Sequence, residues 1–226
     1  MVVRAPNSAP VGPLTVRHMG HLPAALKVAE AYVSYPRRVA TTVGCMSESS
    51  GLISLRLAMS LDGYIADEEG GYDWIRPVAS PTLDTDHQLP FDEFLDDVDL
   101  VVMGRRCYDQ GQHLDYVALG KKVILATSTR SGLEQREQGI DFVGNGVVEV
   151  VRAARDQGQH CFLFGGGVLV ESFLAADAVD MLTIGIVPVL LGGGRPLFPG
   201  EHPTLELRLT DYAVQQGKVR MVYERR

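Results

Sequence analysis

The sequence is poor in cysteine and in long apolar runs, and each shortage closes a class of function. Its three cysteines, Cys45, Cys107 and Cys161, lie far apart with no CxxC pairing. Neither a disulfide framework nor a zinc site is therefore expected, and the expected setting is a reducing, cytoplasmic one. The six histidines are scattered without an HExxH or related spacing, so no metal is expected. No apolar run approaches the roughly 20 residues that a membrane helix needs, and the N-terminus lacks the apolar core and A-x-A-like cleavage site of a secretory signal. No membrane partner is expected. Clustered basic residues are also missing. With a net charge of −7, the chain has no evident means of neutralising a phosphate backbone, which argues against nucleic acid as a partner.

What is present is ordinary globular material. The 226 residues are 46% hydrophobic and 22% charged, enough for one domain with a full core and at most an appendage. The division falls near residue 50. Residues 1–50 hold five of the twelve prolines and are mildly basic, with Arg4, Arg17, Lys27, Arg37 and Arg38 against Glu30 and Glu48. They read as an N-terminal extension, flexible or partly helical, with Leu22, Leu26, Ala29 and Val33 spaced to line one short helix. A translated leader ending near Met46 is the alternative reading. Residues 51–226 form the domain.

Within that domain, strand and helix patterns alternate. LISLRLAM from Leu52 alternates as a strand and ends in the turn Ser60-Leu61-Asp62-Gly63. His87 to Val98 carries apolar residues at helical spacing between acids. Strands follow at DLVVMG, KKVILA and Ile140–Val143, and a helix over Val147–Gln157. Cys161–Phe164 is a short apolar run that breaks at Gly165-Gly166-Gly167 into a helix reaching about Ala176. A strand over Asp180–Val189 comes next, then two alternating runs, Leu205–Leu209 and Lys218–Tyr223. Alternation of this kind followed by strands alone predicts an α/β fold. Its sheet would be mixed and mostly parallel, with helices on both faces and an antiparallel C-terminal edge.

Ligands of such sheets bind beyond the carboxyl ends of the strands. At those ends stand Ser60–Gly63, Gly104-Arg105-Arg106, Thr127-Ser128 and Gly165-Gly166-Gly167. Glycine amides at a helix start, two hydroxyls and two guanidiniums are what a pyrophosphate and a ribose phosphate require. The set suits a dinucleotide carrying an extra phosphate, such as NADPH. GNGVVE from Gly144 lacks the third glycine of a dinucleotide fingerprint and is not read as one.

Five segments, LAMSLDGYIAD, DLVVMGRRCYD, KKVILATS, FLFGGGVLVESFL and VDMLTIGIVPVLLGGGRPLF, resemble in order and spacing the dihydrofolate reductase-like reductases. That group includes the C-terminal reductase domain of bifunctional riboflavin deaminase–reductases and its stand-alone relatives. The resemblance runs from Ile53 to the C-terminus. It implies a three-layer fold and NADPH as hydride donor, with cofactor contacts at Ala58, Ile65, Gly104, Arg105, Arg106, Thr127, Ser128, Gly165, Gly166, Gly167 and Val168. It also marks departures. Arg56 stands where the riboflavin enzymes tend to carry lysine, Phe164 where they tend to carry glutamate before the glycines, and Cys107 where threonine is usual. No carboxylate convincingly matches the pterin-protonating acid of dihydrofolate reductases.

The expected reaction is hydride transfer to a C=N or C=O of a small, pterin- or ribosylaminouracil-like substrate, with a protein acid or water giving the proton. Asp62 is the candidate catalytic polar residue, against a turn-forming role. Arg56 and Trp74 are the candidate substrate contacts, against an outward strand arginine and a packing tryptophan. A true dihydrofolate reductase and a non-catalytic NADP-binding sensor are the alternatives. An uncovered C-terminal strand edge suggests a homodimer.

Overall fold

A computed structural model describes residues 51–77, 83–129 and 139–226. The readings of residues 1–50 lie outside the described residues. Among the described residues there are ten strands: β1 (Leu52–Ser60), β2 (Tyr64–Ala66), β3 (Leu100–Gly104), β4 (Lys122–Ala126), β5 (Ile140–Val143), β6 (His160–Gly165), β7 (Met181–Val187), β8 (Arg195–Pro196), β9 (Leu207–Gln215) and β10 (Lys218–Arg225). The helices are α1 (Phe91–Asp96), α2 (Arg105–Asp109), α3 (His113–Ala118), α4 (Val147–Asp156) and α5 (Gly167–Ala175). Among the described residues no helix is long and apolar enough to cross a membrane.

Eight strands form one sheet in the order β5-β4-β3-β6-β1-β7-β10-β9. The first six run parallel, and β10 is antiparallel to both of its neighbours. The fold class is the expected one, a mixed, mostly parallel sheet with helices on both faces and an antiparallel C-terminal edge.

Successive side chains of a strand point to opposite faces, and the strand sequences exploit this. Leu100 and Val102 of β3 join Ile53 and Leu55 of β1 and Cys161 and Leu163 of β6 in one buried layer, closed by Val148 and Val151 of α4 and Val170, Phe173 and Leu174 of α5. Val101 and Met103 turn the other way to meet Phe162, Val123, Leu125 and Tyr116, with Phe91 and Phe94 of α1 packed against them. Both faces of the central strands are covered, which explains why these strands read as nearly continuous apolar runs.

Some elements depart from the sequence reading. The helix expected from His87 begins only at Phe91, because Pro90 serves as its N-cap in extended geometry and a residue preceding proline is disfavoured in helical geometry. The six-residue α3 was not expected. β9 extends well beyond Leu209, through the polar run to Gln215.

Candidate functional site

β6 ends at the glycine triplet, and the three glycines differ. Gly165 and Gly166 adopt φ of 139° and 98°, and a Cβ on either would point into open space. Left-handed backbone of this kind favours glycine, and the open side faces a cavity. Gly167 is instead a packing glycine, since a Cβ there would sit 2.6 Å from the Pro196 carbonyl oxygen. Gly166 caps α5 and its carbonyl accepts the Val170 amide.

Beside this turn, β3 ends at Gly104, which caps α2. Arg105 and Arg106 therefore occupy the first turn of a helix that starts directly at a strand end. Nε of Arg105 donates to Oδ1 of Asp109 at 2.7 Å, which orients the guanidinium along the helix. At the end of β4, Thr127 Oγ1 donates to the Thr129 carbonyl at 2.8 Å.

These segments converge on one cavity of about 740 Å³. Its wall includes every residue expected to contact a cofactor: Ala58, Ile65, Gly104, Arg105, Arg106, Thr127, Ser128, Gly165, Gly166, Gly167 and Val168. Arg56 lines it too. The parallel strands bring this about, because every β-to-α turn of the sheet opens on the same side. Gly144 and Asn145, in the turn set aside as a fingerprint, also lie on the wall.

Two expected site residues are not on it. Asp62 accepts hydrogen bonds from Ser60 Oγ at 2.6 Å and from the amides of Leu191 and Gly192 at 3.2 and 2.8 Å. Its carboxylate thus ties the β1–β2 turn to the second glycine cluster. The Ser60 hydroxyl above all, then the two amides, hold its pKa below the ordinary aspartate value against some desolvation. The geometry gives Asp62 the turn role. Trp74 likewise stays off the wall while its neighbours Tyr72 and Ile75 reach it. Its indole nitrogen is buried with no hydrogen-bond partner among the described residues.

The sequence reading missed Thr183, Arg195 and Arg220, all of which line the cavity. Arg195 lies across the small β2–β8 sheet against Gly70, where a Cβ would meet its Nη1 at 2.4 Å. Arg220 is 5% exposed and Thr183 3%. Arg56, Arg105, Arg106, Arg195 and Arg220 make the wall cationic, and among the described residues that line it there is no Asp, Glu, His or Lys. Cys107 on the wall is a thiol at neutral pH, its pKa pushed up to about 11 by burial. Burial also carries the Tyr116 phenol well above its ordinary pKa. Phe164, marked above as a departure from the glutamate expected before the glycines, packs edge-on to Tyr116 and Phe162 with ring centroids 5.2 and 5.9 Å away.

A chain with this sheet and this cavity has relatives. Residues 52–223 match the family model described as the RibD C-terminal domain. The uncharacterized Bacillus subtilis proteins YwjB and YyaP are similar to it, at 30% identity over 69% of this chain and 87% of YwjB, and 28% over 76% of this chain and 93% of YyaP. A Shewanella sp. PV-4 structure, provisionally assigned to riboflavin biosynthesis, superposes with a TM-score of 0.64 at 29% identity, over 77% of this chain and 99% of that one. The bifunctional deaminase/5-amino-6-(5-phosphoribosylamino)uracil reductase of Thermotoga maritima shares the fold, with a TM-score of 0.60 at 14% identity, over 80% of this chain and 58% of that one. The chain belongs to the RibD C-terminal domain family of riboflavin-pathway-type, reductase-like proteins.

Proposed function

We propose that the protein is an NADPH-dependent reductase that transfers a hydride to a C=N or C=O of a small heterocyclic or sugar-derived substrate. The observation that carries this reading is the convergence of the Gly165-Gly166 turn, the Arg105-Arg106 helix start and the Thr127-Ser128 strand end on one cavity. The fit of a dinucleotide is supported by the open space beyond Gly165 and Gly166, which lets a phosphate reach the backbone. NADPH, when bound, supplies the hydride.

The remaining work falls to the chain. The glycine turn and Ser128 would hold the pyrophosphate of a bound dinucleotide, and Arg105 and Arg106 would take its 2′-phosphate. Ala58, small and 8% exposed at the carboxyl half of β1, leaves room for a flat ring. Tyr72 and Ile75, on the same wall, would exclude water from it. Cys107 and Tyr116 keep their protons at neutral pH, and the described wall offers no carboxylate or imidazole. In this reading water delivers the proton. That feature also favours a stand-alone reductase over a dihydrofolate reductase, which needs an acid at the pterin.

The arginine pair provides the test. Arg105→Ala combined with Arg106→Ala should weaken NADPH at least tenfold more than NADH in a fluorescence titration, since a bidentate contact to phosphate is lost. Equal weakening of both would remove the 2′-phosphate assignment, and failure of the unmodified protein to bind NADPH would remove the cofactor reading itself.

A further inference from the structure

The turn Gly144-Asn145-Gly146 reaches the cavity wall without any part in the cofactor reading. It joins β5 to α4, and all three of its residues are exposed. Gly146 caps α4 in left-handed geometry, with φ of 92° and ψ of 14°. A Cβ placed there would meet nothing nearer than Oε2 of Glu149 at 3.6 Å, so no neighbour screens the peptide bond that follows Asn145. Among the described residues no hydrogen bond engages the Asn145 side chain or the Gly146 amide. A side-chain amide and the next backbone nitrogen are thus both uncommitted and open to solvent.

Asparagine before glycine is the pairing in which that nitrogen reaches the side-chain carbonyl with least hindrance, because glycine has no Cβ to obstruct the approach. The Gly146 nitrogen, giving its proton to solvent, attacks Cγ of Asn145. A C–N bond forms there, and the side-chain nitrogen takes up a proton and leaves as ammonia. The product is a cyclic imide closed on the main chain. Water then adds to either imide carbonyl and breaks its bond to nitrogen. Opening at Cγ restores the peptide with aspartate in place of asparagine. Opening at the backbone carbonyl leaves isoaspartate, whose main chain runs through Cγ and is longer by a methylene. Nothing is oxidised or reduced, and water is the only co-reactant.

The position of the turn gives this change a consequence. Val143 at the end of β5 pairs with Ala126 of β4, and Ala126 with Gly104 of β3. Arg105 and Arg106 follow Gly104, so two strand spacings of about 4.8 Å set the turn about 10 Å from that helix start. Thr127 lies between, and a Cβ on Gly144 would sit 3.6 Å from its carbonyl oxygen. The separation is close to the screening length of about 8 Å at physiological salt. An anion held at Arg105 and Arg106 therefore feels a charge at Asn145. No acid lines the described wall, so the new carboxylate would be its first. The fold tolerates it, since a carboxylate just before α4 faces the positive end of the helix dipole.

We propose that Asn145-Gly146 is a site of spontaneous modification, at which conversion of Asn145 to aspartate and isoaspartate lowers the affinity for a dinucleotide carrying a 2′-phosphate and leaves the fold intact. Cofactor binding then declines with the age of the molecule. The loss of affinity rests on the reductase reading, whereas the conversion itself does not.

Incubation of the full chain in heavy-oxygen water at mildly alkaline pH, well below its melting temperature, tests the conversion when followed by peptide mapping. Heavy oxygen should enter at Asn145, with isoaspartate in the same peptide detected by carboxyl methyltransferase labelling, at a rate within a hundredfold of that in a free Gly144–Val148 peptide. Slower entry, or none, would overturn the proposal by showing that the folded turn holds the nitrogen away from Cγ. Mapping separates this site from Asn7, the only other asparagine, and Asn145→Gln should stay unlabelled at its position. In a fluorescence titration the aged protein and Asn145→Asp should both bind NADPH at least threefold more weakly than fresh protein, with NADH changed less than twofold and the thermal melt unchanged. Unaltered NADPH affinity in Asn145→Asp, or an equal loss for NADH, would overturn the link to the 2′-phosphate. Failure of fresh protein to bind NADPH would overturn the reductase reading and the affinity half of the proposal with it, while the label at Asn145 still decides the conversion.

Discussion

Asp62 shows how one residue can satisfy a motif and still serve the backbone. An LDG turn at the end of a strand is a natural place for a catalytic acid, but the carboxylate here is occupied by Ser60 and by two amides from the Leu191-Gly192 loop. The native pKa is lowered, so the unfolded chain binds the proton more readily than the native one, and stability rises with pH across that window. The contribution is complete above the unfolded value of about 3.9 and fades as pH falls through the native one. Asp62→Asn should therefore flatten the acid limb of a urea-midpoint-against-pH curve below about pH 4, with NADPH affinity unchanged. A large loss of NADPH affinity would return Asp62 to the site. The glycine triplet divides in a similar way. Gly166→Ala introduces strain of order 1–3 kcal/mol at its positive φ and crowds the cradle, whereas Gly167→Ala must displace the Pro196 carbonyl. NADPH titration beside chemical denaturation should show the first variant losing affinity out of proportion to stability, and the second losing stability foremost.

Among the elements, β6 faces both layers. Phe162, 1% exposed, meets Phe94 at 5.0 Å and Phe164 at 5.9 Å between ring centroids, and so holds α1 onto the sheet. Phe162→Ala should cost about 3–5 kcal/mol of unfolding free energy, and a change below about 1 kcal/mol in a urea titration would show that α1 is anchored elsewhere. The strands were legible because burial on both faces writes itself as an apolar run. β9 was only half legible, for two reasons. It is the edge strand, with Leu209 and Tyr212 exposed, and its pairing with β10 shifts register at Val222/Tyr223, so the alternation breaks where a bulge sits. Helix α3 escaped because six residues between Gln112 and Leu119 are too few to show a period. β10 was legible as a strand but misleading in its facing, since two of its three buried members, Lys218 and Arg220, are charged and only the third, Val222, is apolar.

For the molecule as a whole, charge is unevenly distributed. A chain of net charge −7 surrounds a cavity whose described wall carries five arginines and no acid. Focusing of this kind draws anions inward and is screened by salt. NADPH affinity should fall severalfold between about 0.05 and 0.5 M salt, where the screening length drops from about 14 to about 4 Å, and by less in the Arg105→Ala, Arg106→Ala variant. A salt-independent affinity would contradict this. The β9 edge is bonded at Val214 by the Thr85 amide and hydroxyl, and its remaining length keeps a homodimer as our proposal, which a monomeric mass in sedimentation at micromolar concentration would refute. Glycine turns, strand periods and the cluster at the strand ends are local, so the fold class and the glycine–arginine end of the cavity could be read directly from residue order. Of the opposite end only Arg56 could, as a candidate substrate contact. Arg56 and Arg220 stand on strands far apart in the chain, and it is the order β1-β7-β10 together with the register Ala58–Gly185–Arg220 that brings two guanidiniums to one carbonyl, that of Leu89. A contact made by strand order has no spacing in the sequence to announce it.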